Sequence, residues 1–267
     1  MDDFSPVERI AGAPGCGALV ICDHASNALP PGYGDLGLTP EARARHIAYD
    51  IGAAGVARRL AARLGAPAVL STFSRLLIDP NRAADDPTLV MRLSDGAVVP
   101  GNARADAAEI ARRRDFYWRP YRDAVSAALD AALAAGTVPA ILSIHTFTPV
   151  WKGAPRPWHA GVLWDMDGRL ARPLIAALGA ERDLVVGDNE PYDGALEGDT
   201  MHELGTTRGL PHALIEIRQD LVDDEKGQID WADRLARVLA PILAEPGLHR
   251  IERFGSRAGA ARNGQRG

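Results

Sequence analysis

The sequence feature that most constrains the fold is a set of three short apolar segments, each of which ends in chemically reactive side chains. They lie at residues 19–27, 140–146 and 213–218. Short apolar runs bounded by turn or polar residues predict buried strands. In a sheet of parallel strands, ligands bind at the carboxyl ends, where the backbone leaves the core. We therefore expect the polar residues that end these segments to form one functional site.

Predicted strands and helices alternate along the chain, which indicates the α/β class. The further predicted strands lie at residues 68–70, 76–78, 160–164 and 184–186, and the predicted helices lie at 40–64, 105–135 with a break near Pro120, 169–178 and 230–243. This alternation predicts a single three-layer α/β/α domain with a mostly parallel central sheet covered on both faces. We expect this catalytic domain to span residues 1–250. Residues 251–267 are rich in Arg and Gly and are predicted to be a disordered basic tail.

Composition excludes several classes of protein. The chain has no apolar run of the roughly 18 residues that a membrane span needs, so no membrane partner is expected. A net charge of −5 gives no reason to expect nucleic acid. Cys16 and Cys22 are too few for a disulfide framework, and the N-terminus does not have the basic and apolar pattern of a secretory signal. These features predict a cytoplasmic protein and leave its oligomeric state open.

His24 and His145 are the strongest candidates for metal ligands, because each closes an apolar strand segment. A catalytic zinc ion has three protein ligands and one open position. A histidine that is hydrogen-bonded within the core is the alternative for either residue. As the third ligand we predict Asp50, which lies four residues after His46 on the helix predicted over 40–64. Residues at this spacing share one helix face.

Glu216 is the candidate general base, because a carboxylate flanked by apolar residues on a buried strand is costly unless it is paired or used. A salt bridge with an arginine is the alternative. His202 is a second catalytic candidate, with a surface histidine as its alternative. It follows an acidic, Gly-containing loop at 187–199 that could be a lid, and residues 83–103 are a long aperiodic loop of the same kind.

Asn81 and Arg82 are candidates for binding a substrate carboxylate, because they follow the apolar residues 76–78 and the arginine presents a planar fork. A turn stabilised by the preceding Asp and Pro is the alternative. Arg218 and Arg75 are further candidates for neutralising a carboxylate of the substrate.

Six short motifs, taken in order, resemble those of the N-formylglutamate amidohydrolase family. They are Asp23-His24-Ala25-Ser26-Asn27, His46-Ile47-Ala48-Tyr49-Asp50-Ile51-Gly52-Ala53, Ser74-Arg75-Leu76-Leu77-Ile78-Asp79-Pro80-Asn81-Arg82, Ser143-Ile144-His145-Thr146-Phe147-Thr148-Pro149, Asp188-Asn189-Glu190-Pro191-Tyr192 and Ile215-Glu216-Ile217-Arg218-Gln219-Asp220-Leu221. Each motif is short, but the six in sequence make a specific signal that covers about residues 17–243.

The family is similar to the zinc carboxypeptidases and aspartoacylases, and this resemblance implies a three-layer α/β fold around one zinc ion. It implies that His24 and His145 are zinc ligands. It further implies that Asn81 and Arg82 bind the substrate carboxylate and that Glu216 is the base. Histidine degradation is the pathway that the family implies.

The chain departs from the wider group at one position. In that group a glutamate stands three residues after the first histidine, and this chain has Asn27 there. An amide is a poor zinc ligand, so Asp50 remains the predicted third ligand, with Asn27 and His202 as alternatives.

We therefore predict a zinc-dependent amidohydrolase that removes the N-formyl or another small N-acyl group from an acidic amino acid such as glutamate. Its partner would be this small-molecule substrate. The first alternative is a peptidase or a deacylase of a different N-acyl amino acid. The second is a non-catalytic protein that binds carboxylated metabolites through its arginines without a metal.

Overall fold

A seven-stranded, mostly parallel sheet forms the centre of the protein. The structure is a computed structural model and describes residues 4–258. The strands are β1 (Val7–Ile10), β2 (Ala18–Cys22), β3 (Ala68–Ser71), β4 (Leu93–Ser94), β5 (Ala97–Val98), β6 (Ala140–Phe147), β7 (Val150–Trp151), β8 (Ala154–Pro155), β9 (Ala160–Leu163), β10 (Val186–Asp188) and β11 (His212–Arg218). The sheet order is β1-β3-β2-β6-β11-β9-β10, and β4–β5 and β7–β8 form two small hairpins outside it.

Strands β3, β2, β6 and β11 are mutually parallel, whereas β1 pairs antiparallel with β3 and β9 pairs antiparallel with β11. The helices are α1 (Pro40–Arg43), α2 (Ala53–Leu64), α3 (Pro100–Ala103), α4 (Ala107–Arg113), α5 (Arg119–Ala134), α6 (Ala171–Gly179) and α7 (Glu225–Leu243). One apolar cluster joins the sheet to α2, α6 and α7, and a second joins it to α5. Helices therefore cover both faces, which confirms the predicted three-layer α/β architecture.

The two faces of the sheet differ in character. Side chains alternate between the faces along each strand. On the face covered by α2 and α7, the buried residues of β2, β6 and β11 are apolar except for Thr146 near the end of β6. On the face covered by α5, polar side chains lie towards or just after the carboxyl ends: Asp23 follows Ile21, Ser143 and His145 follow Ile141, and Glu216 follows Leu214. Strand β11 also begins on this face with the buried His212. The site is therefore built on one face, at one edge.

The sequence predicts a single helix over residues 40–64, and this prediction is wrong between α1 and α2, where the chain is not α-helical. Gly52 has φ 82° and lies directly before the first residue of α2. The backbone N–H of Asp50 donates to the carbonyl oxygen of His24 at 2.9 Å instead of continuing a helical pattern. His46 and Asp50 consequently do not share a helix face.

Residues 76–78, predicted as a strand, form turns. The N–H of Leu77 donates to the carbonyl oxygen of Ser74 at 2.9 Å, which closes a turn rather than a ladder. Residues 83–103, predicted as a loop, contain the β4–β5 hairpin and α3. The break near Pro120 is a wide π-helical turn at residues 114–118 that joins α4 to α5.

The body of the protein extends past the predicted boundary at residue 250. The N–H of Glu252 donates to the carbonyl oxygen of Gly209 at 2.9 Å. The N–H of Arg257 donates to Asp165 at 2.9 Å, and its guanidinium pairs with Asp193 at 2.8 Å. Residues 251–258 thus contact the rest of the chain, and the remainder of the predicted tail, 259–267, lies outside the described residues. No helix within residues 4–258 is long and apolar enough to cross a membrane.

Candidate metal centre and its cavity

Three buried side chains from different parts of the chain converge at the carboxyl edge of the sheet. His24 follows β2, Asp50 lies in the turn before α2, and His145 is on β6. Asp50 Oδ2 lies 3.3 Å from His24 Nδ1 and 2.8 Å from His145 Nδ1. Ligand atoms of the three residues all lie within 4.8 Å of one another, so the cluster could hold a metal ion. We call these three residues the metal cluster.

The turn before α2 positions Asp50. Besides the bond from its own N–H to His24, Asp50 Oδ2 accepts a hydrogen bond from the backbone N–H of Thr146 at 3.3 Å. A Cβ atom on Gly52 would lie 2.2 Å from the carbonyl oxygen of Val222, so only glycine allows this approach. Two backbone contacts and one glycine therefore hold the carboxylate between the two imidazoles.

Each histidine of the metal cluster is held by a second carboxylate on its other ring nitrogen. Asp79 Oδ1 lies 2.7 Å from His24 Nε2, and Asp23 Oδ2 lies 3.0 Å from His145 Nε2. A carboxylate on one ring nitrogen fixes the proton there and leaves the other nitrogen free to bind a metal. Arg75 Nη1 lies 3.2 Å from His24 Nδ1. Both Nδ1 atoms face Asp50 and are therefore the ring nitrogens that could bind an ion once they carry no proton.

The carboxylates around the metal cluster are held in their ionised form. Burial by itself raises the pKa of Asp23, but hydrogen bonds from His145 and Thr200 and the nearby histidine charges lower it to about 2. Burial also opposes ionisation of Asp79, yet Arg75 and His24 keep its pKa well below the ordinary value. The pKa of Asp50 is lowered in the same way by the two histidines.

Glu216 lies beside the metal cluster but lacks such partners. It is opposite His145 in the β6–β11 register, on the same face of the sheet. Its Oε2 atom is buried and makes no hydrogen bond within the described residues. Burial raises the pKa of Glu216 to about 7, and the negative charge of Asp50 contributes. A carboxyl group that exchanges a proton near neutral pH therefore faces a possible metal site.

The metal cluster and Glu216 line one cavity with a volume of about 420 Å³. This is within the range of roughly 300–1,000 Å³ that small-molecule sites occupy. Asn81, Arg82 and Arg75 also line it. The guanidinium of Arg75 forms an ion pair with Asp79 at 2.7 Å, whereas Arg82 lies 4.0 Å from both Asp79 and Asp86.

Three of the predicted residues lie elsewhere. His202 and Arg218 are not among the described residues that line the cavity. His202 Nδ1 accepts the N–H of Gly198 at 3.2 Å, and Arg218 pairs with Asp220 at 2.8 Å. Asn27, an alternative third ligand, donates from Nδ2 to the carbonyl oxygen of Arg43 at 3.0 Å.

The carboxylates that hold the two histidines, Asp23 and Asp79, were not predicted as functional residues. Asp23 directly precedes His24 yet contacts His145, and Asp79 contacts His24 from a turn 55 residues away along the chain. Both residues stand in the quoted motifs. The available signal for Asp23 was its position directly before His24, whereas Asp79 has no strand-end histidine near it in the sequence.

Comparison with known proteins assigns most of the chain to one family. The family model described as N-formylglutamate amidohydrolase matches residues 16–222. The crystal structure of gene product Atu2144 from Agrobacterium tumefaciens is similar, with 33% sequence identity, a TM-score of 0.84, and coverage of 90% of this chain and 96% of that chain. An N-formylglutamate amidohydrolase from Ralstonia eutropha shares the fold, with 21% identity, a TM-score of 0.68, and coverage of 90% and 97%. No protein with curated annotation matches the sequence.

Proposed function

The chain belongs to the N-formylglutamate amidohydrolase family, and from this we propose that it hydrolyses the amide bond of an N-formyl or other small N-acyl amino acid, such as N-formylglutamate, with one divalent metal ion. The observation that carries the proposal is the pairing of the metal cluster with Glu216, whose buried Oε2 makes no hydrogen bond within the described residues. A metal site beside a carboxyl group with a pKa of about 7 suits hydrolysis.

The residues present fit a zinc ion. Two imidazoles and one carboxylate are a donor set found in catalytic zinc sites. His24, Asp50 and His145 would hold the ion, and Asp79 and Asp23 would orient the two imidazoles. A zinc ion held there would polarise the amide carbonyl and lower the pKa of a water molecule towards neutrality.

Glu216 is proposed as the residue that moves the proton. As a carboxylate it takes a proton from the attacking water, whose oxygen forms a bond to the carbonyl carbon. It then delivers that proton to the amide nitrogen as the carbon–nitrogen bond breaks. The products are formate, or another small carboxylic acid, and the free amino acid. Since the pKa of Glu216 is about 7, the group can both accept and release a proton near neutral pH.

Arg82 and Asn81 are proposed to bind the carboxylate of the substrate. Arg82 lines the cavity, and the two carboxylates of its ion pairs are 4.0 Å away, so its donors are available for a ligand. Its planar fork matches a carboxylate with two parallel hydrogen bonds. Arg75 is proposed to add positive charge to the cavity while it remains paired with Asp79.

The test is metal content measured together with hydrolysis. Purified protein would be assayed for bound metal, and then with N-formylglutamate and other N-formyl amino acids before and after chelation. We expect near-stoichiometric zinc, and activity that chelation removes and zinc restores. Activity that survives complete removal of metal would contradict the metal-dependent mechanism, and absence of hydrolysis of every N-acyl amino acid by zinc-loaded protein would contradict the proposed reaction.

A further inference from the structure

The cavity has an apolar part that cleavage of a formyl group does not require. Leu163, Met201 and Leu214 are buried side chains that line it, and all three belong to the apolar cluster on the α5 face. Leu214 on β11 and Leu163 on β9 are direct register partners. We call these three residues the apolar bay.

The apolar bay is next to the proposed chemistry. Leu214 precedes Glu216 by two residues on β11, so both side chains point to the same face. This spacing places the two positions roughly 7 Å apart along the strand. A ligand whose amide lies at Glu216 would therefore place a neighbouring substituent in the apolar bay.

The proposed carboxylate contacts border the same region. Asn81 Oδ1 accepts the backbone N–H of Thr200 at 3.1 Å, and Thr200 directly precedes Met201. A substrate whose carboxylate is bound by Asn81 and Arg82 would have its α-carbon close to the apolar bay. The group attached to that carbon is the amino-acid side chain.

The charges around the apolar bay disfavour a substrate with a second carboxylate in its side chain. Arg75 and Arg82, the arginines that line the cavity in the described part of the chain, both come from the segment 75–82 rather than from β9, β11 or residues 199–201. Asp199 lines the cavity and is buried, with its pKa raised to about 7 by burial. His212 donates from Nδ1 to the carbonyl oxygen of Leu210, and burial lowers the pKa of its imidazole, so it supplies no positive charge.

We propose that the apolar bay receives the side chain of the substrate, so that the enzyme prefers N-formyl amino acids with an aliphatic side chain, such as leucine or methionine, over N-formylglutamate. This inference rests on the proposed function and specifies its substrate class. A glutamate side chain in the apolar bay would be desolvated without a cation to pair with its carboxylate, whereas an aliphatic chain gains from leaving water.

The test is kcat/KM of the zinc-loaded full-length protein for N-formyl derivatives of leucine, methionine, glutamate and lysine. With the acyl group held constant, we expect the leucine and methionine compounds to exceed the glutamate and lysine compounds by at least about 10-fold, as differences of a few buried carbons produce. An equal or higher value for glutamate or lysine would overturn the inference and leave the proposed function intact. Hydrolysis of none of the four would overturn both.

A charge variant tests the location of the preference. Met201→Lys keeps an unbranched side chain and adds a cation to the apolar bay, and we expect it to lower the leucine-to-glutamate ratio of kcat/KM by at least about 10-fold. Met166→Lys is the matched control, because Met166 is 46% exposed, and we expect it to leave the ratio unchanged. A folded Met201→Lys protein with an unchanged ratio would show that the preference lies elsewhere. If that variant does not fold, the substrate series with the unaltered protein decides the inference.

Discussion

Buried carboxyl groups of two kinds meet around this cavity. Asp23, Asp50 and Asp79 contact histidines or arginines, and their pKa values are lowered in spite of burial. Glu216 and Asp199 are comparably buried, but burial dominates and raises the pKa of each to about 7. The same functional group at the same depth is thus permanently charged in one place and exchanges a proton near neutral pH in the other.

The difference shows how the protein separates two tasks. The paired carboxylates orient the imidazoles and supply negative charge for a cation, and this task requires that they never take up a proton. Glu216 and Asp199, which form no ion pair within the described residues, can change protonation state, which a proton carrier requires. Hydrogen bonds and ion pairs, rather than residue type, decide which task each carboxyl group serves.

The contrast between the two kinds of buried carboxyl group predicts its largest effect at Glu216. Glu216→Gln keeps the shape of the side chain but cannot carry the proton, and we expect kcat to fall by about 10²–10⁴-fold. Metal stoichiometry and affinity should stay as in the unaltered protein, since Glu216 is not in the metal cluster. Steady-state kinetics and metal titration would measure both, with the exposed Glu245→Gln as the matched control. A fall in metal content that matches the fall in kcat would make Glu216 a ligand rather than a base.

Asp199 provides a test by stability. Its pKa is about 7 in the folded protein and 3.8 in a free side chain, so the folded state binds more protons between these values. The free energy of unfolding should therefore fall as pH rises from about 4 to 7, by as much as about 4 kcal/mol from this group.

Asp199→Asn should remove that decline, because the amide does not ionise and can still accept the His202 N–H that Asp199 Oδ1 accepts at 2.7 Å. Urea unfolding of both proteins across this pH range, in the same metal state, measures the difference. Parallel curves for the two proteins would mean that Asp199 is ionised at neutral pH in the fold.

Among the carboxylates that contact histidines, Asp23 is expected to have a smaller effect, and on metal affinity rather than on kcat. Asp23→Asn removes the charge that orients His145, and we expect metal affinity to weaken about 10–100-fold. Competition with a chromogenic chelator gives the dissociation constant, and the exposed Asp85→Asn is the control. Unchanged affinity together with reduced activity would assign Asp23 to catalysis instead of metal binding.

Arg75 and Arg82 differ in the same way, because Arg75 has a close ion pair and Arg82 does not. Substitutions at these two residues are expected to have the smallest effects. Arg82→Lys keeps the charge and loses the planar fork, so we expect KM to rise about 10-fold with little change in kcat. Arg75→Lys would instead weaken the ion pair that Arg75 forms with Asp79 at 2.7 Å, and should act on metal affinity. A change in metal affinity with Arg82→Lys would remove the distinction between them.

The sequence predicted those parts of the site that depend on strand pattern alone. His145 and Glu216 lie on the same face because alternation and the parallel register of β6 and β11 place them there. Asp50 was predicted as the third ligand and lies in the metal cluster, but the helix assumed to carry it is absent. The turn that replaces that helix depends on contacts of Asp50 and Gly52 with His24 and Val222, which no local pattern encodes.

Contacts between distant loops limited the rest of the prediction. Arg218 belongs to the same strand as Glu216, yet its guanidinium pairs with Asp220 instead of reaching the cavity. Asp79 stands in a turn that was predicted only to bind substrate, and its contact with His24 depends on how residues 72–82 fold against β2. Strand order and register can be inferred from pattern, whereas such turn placements arise only from the assembled packing.

The metal cluster is assembled from residues that lie far apart along the chain, which ties metal binding to folding. The contacts of Asp50 with His24 and His145 join residues 26 and 95 positions apart along the chain. In the unfolded chain these donors are separate, so closing loops of this length around an ion would cost entropy that no local structure repays. The three ligands come together only when β2 and β6 have paired, so an ion would bind the folded chain far more tightly than the unfolded one. Bound metal should therefore raise the free energy of unfolding, by an amount that grows with the concentration of free metal.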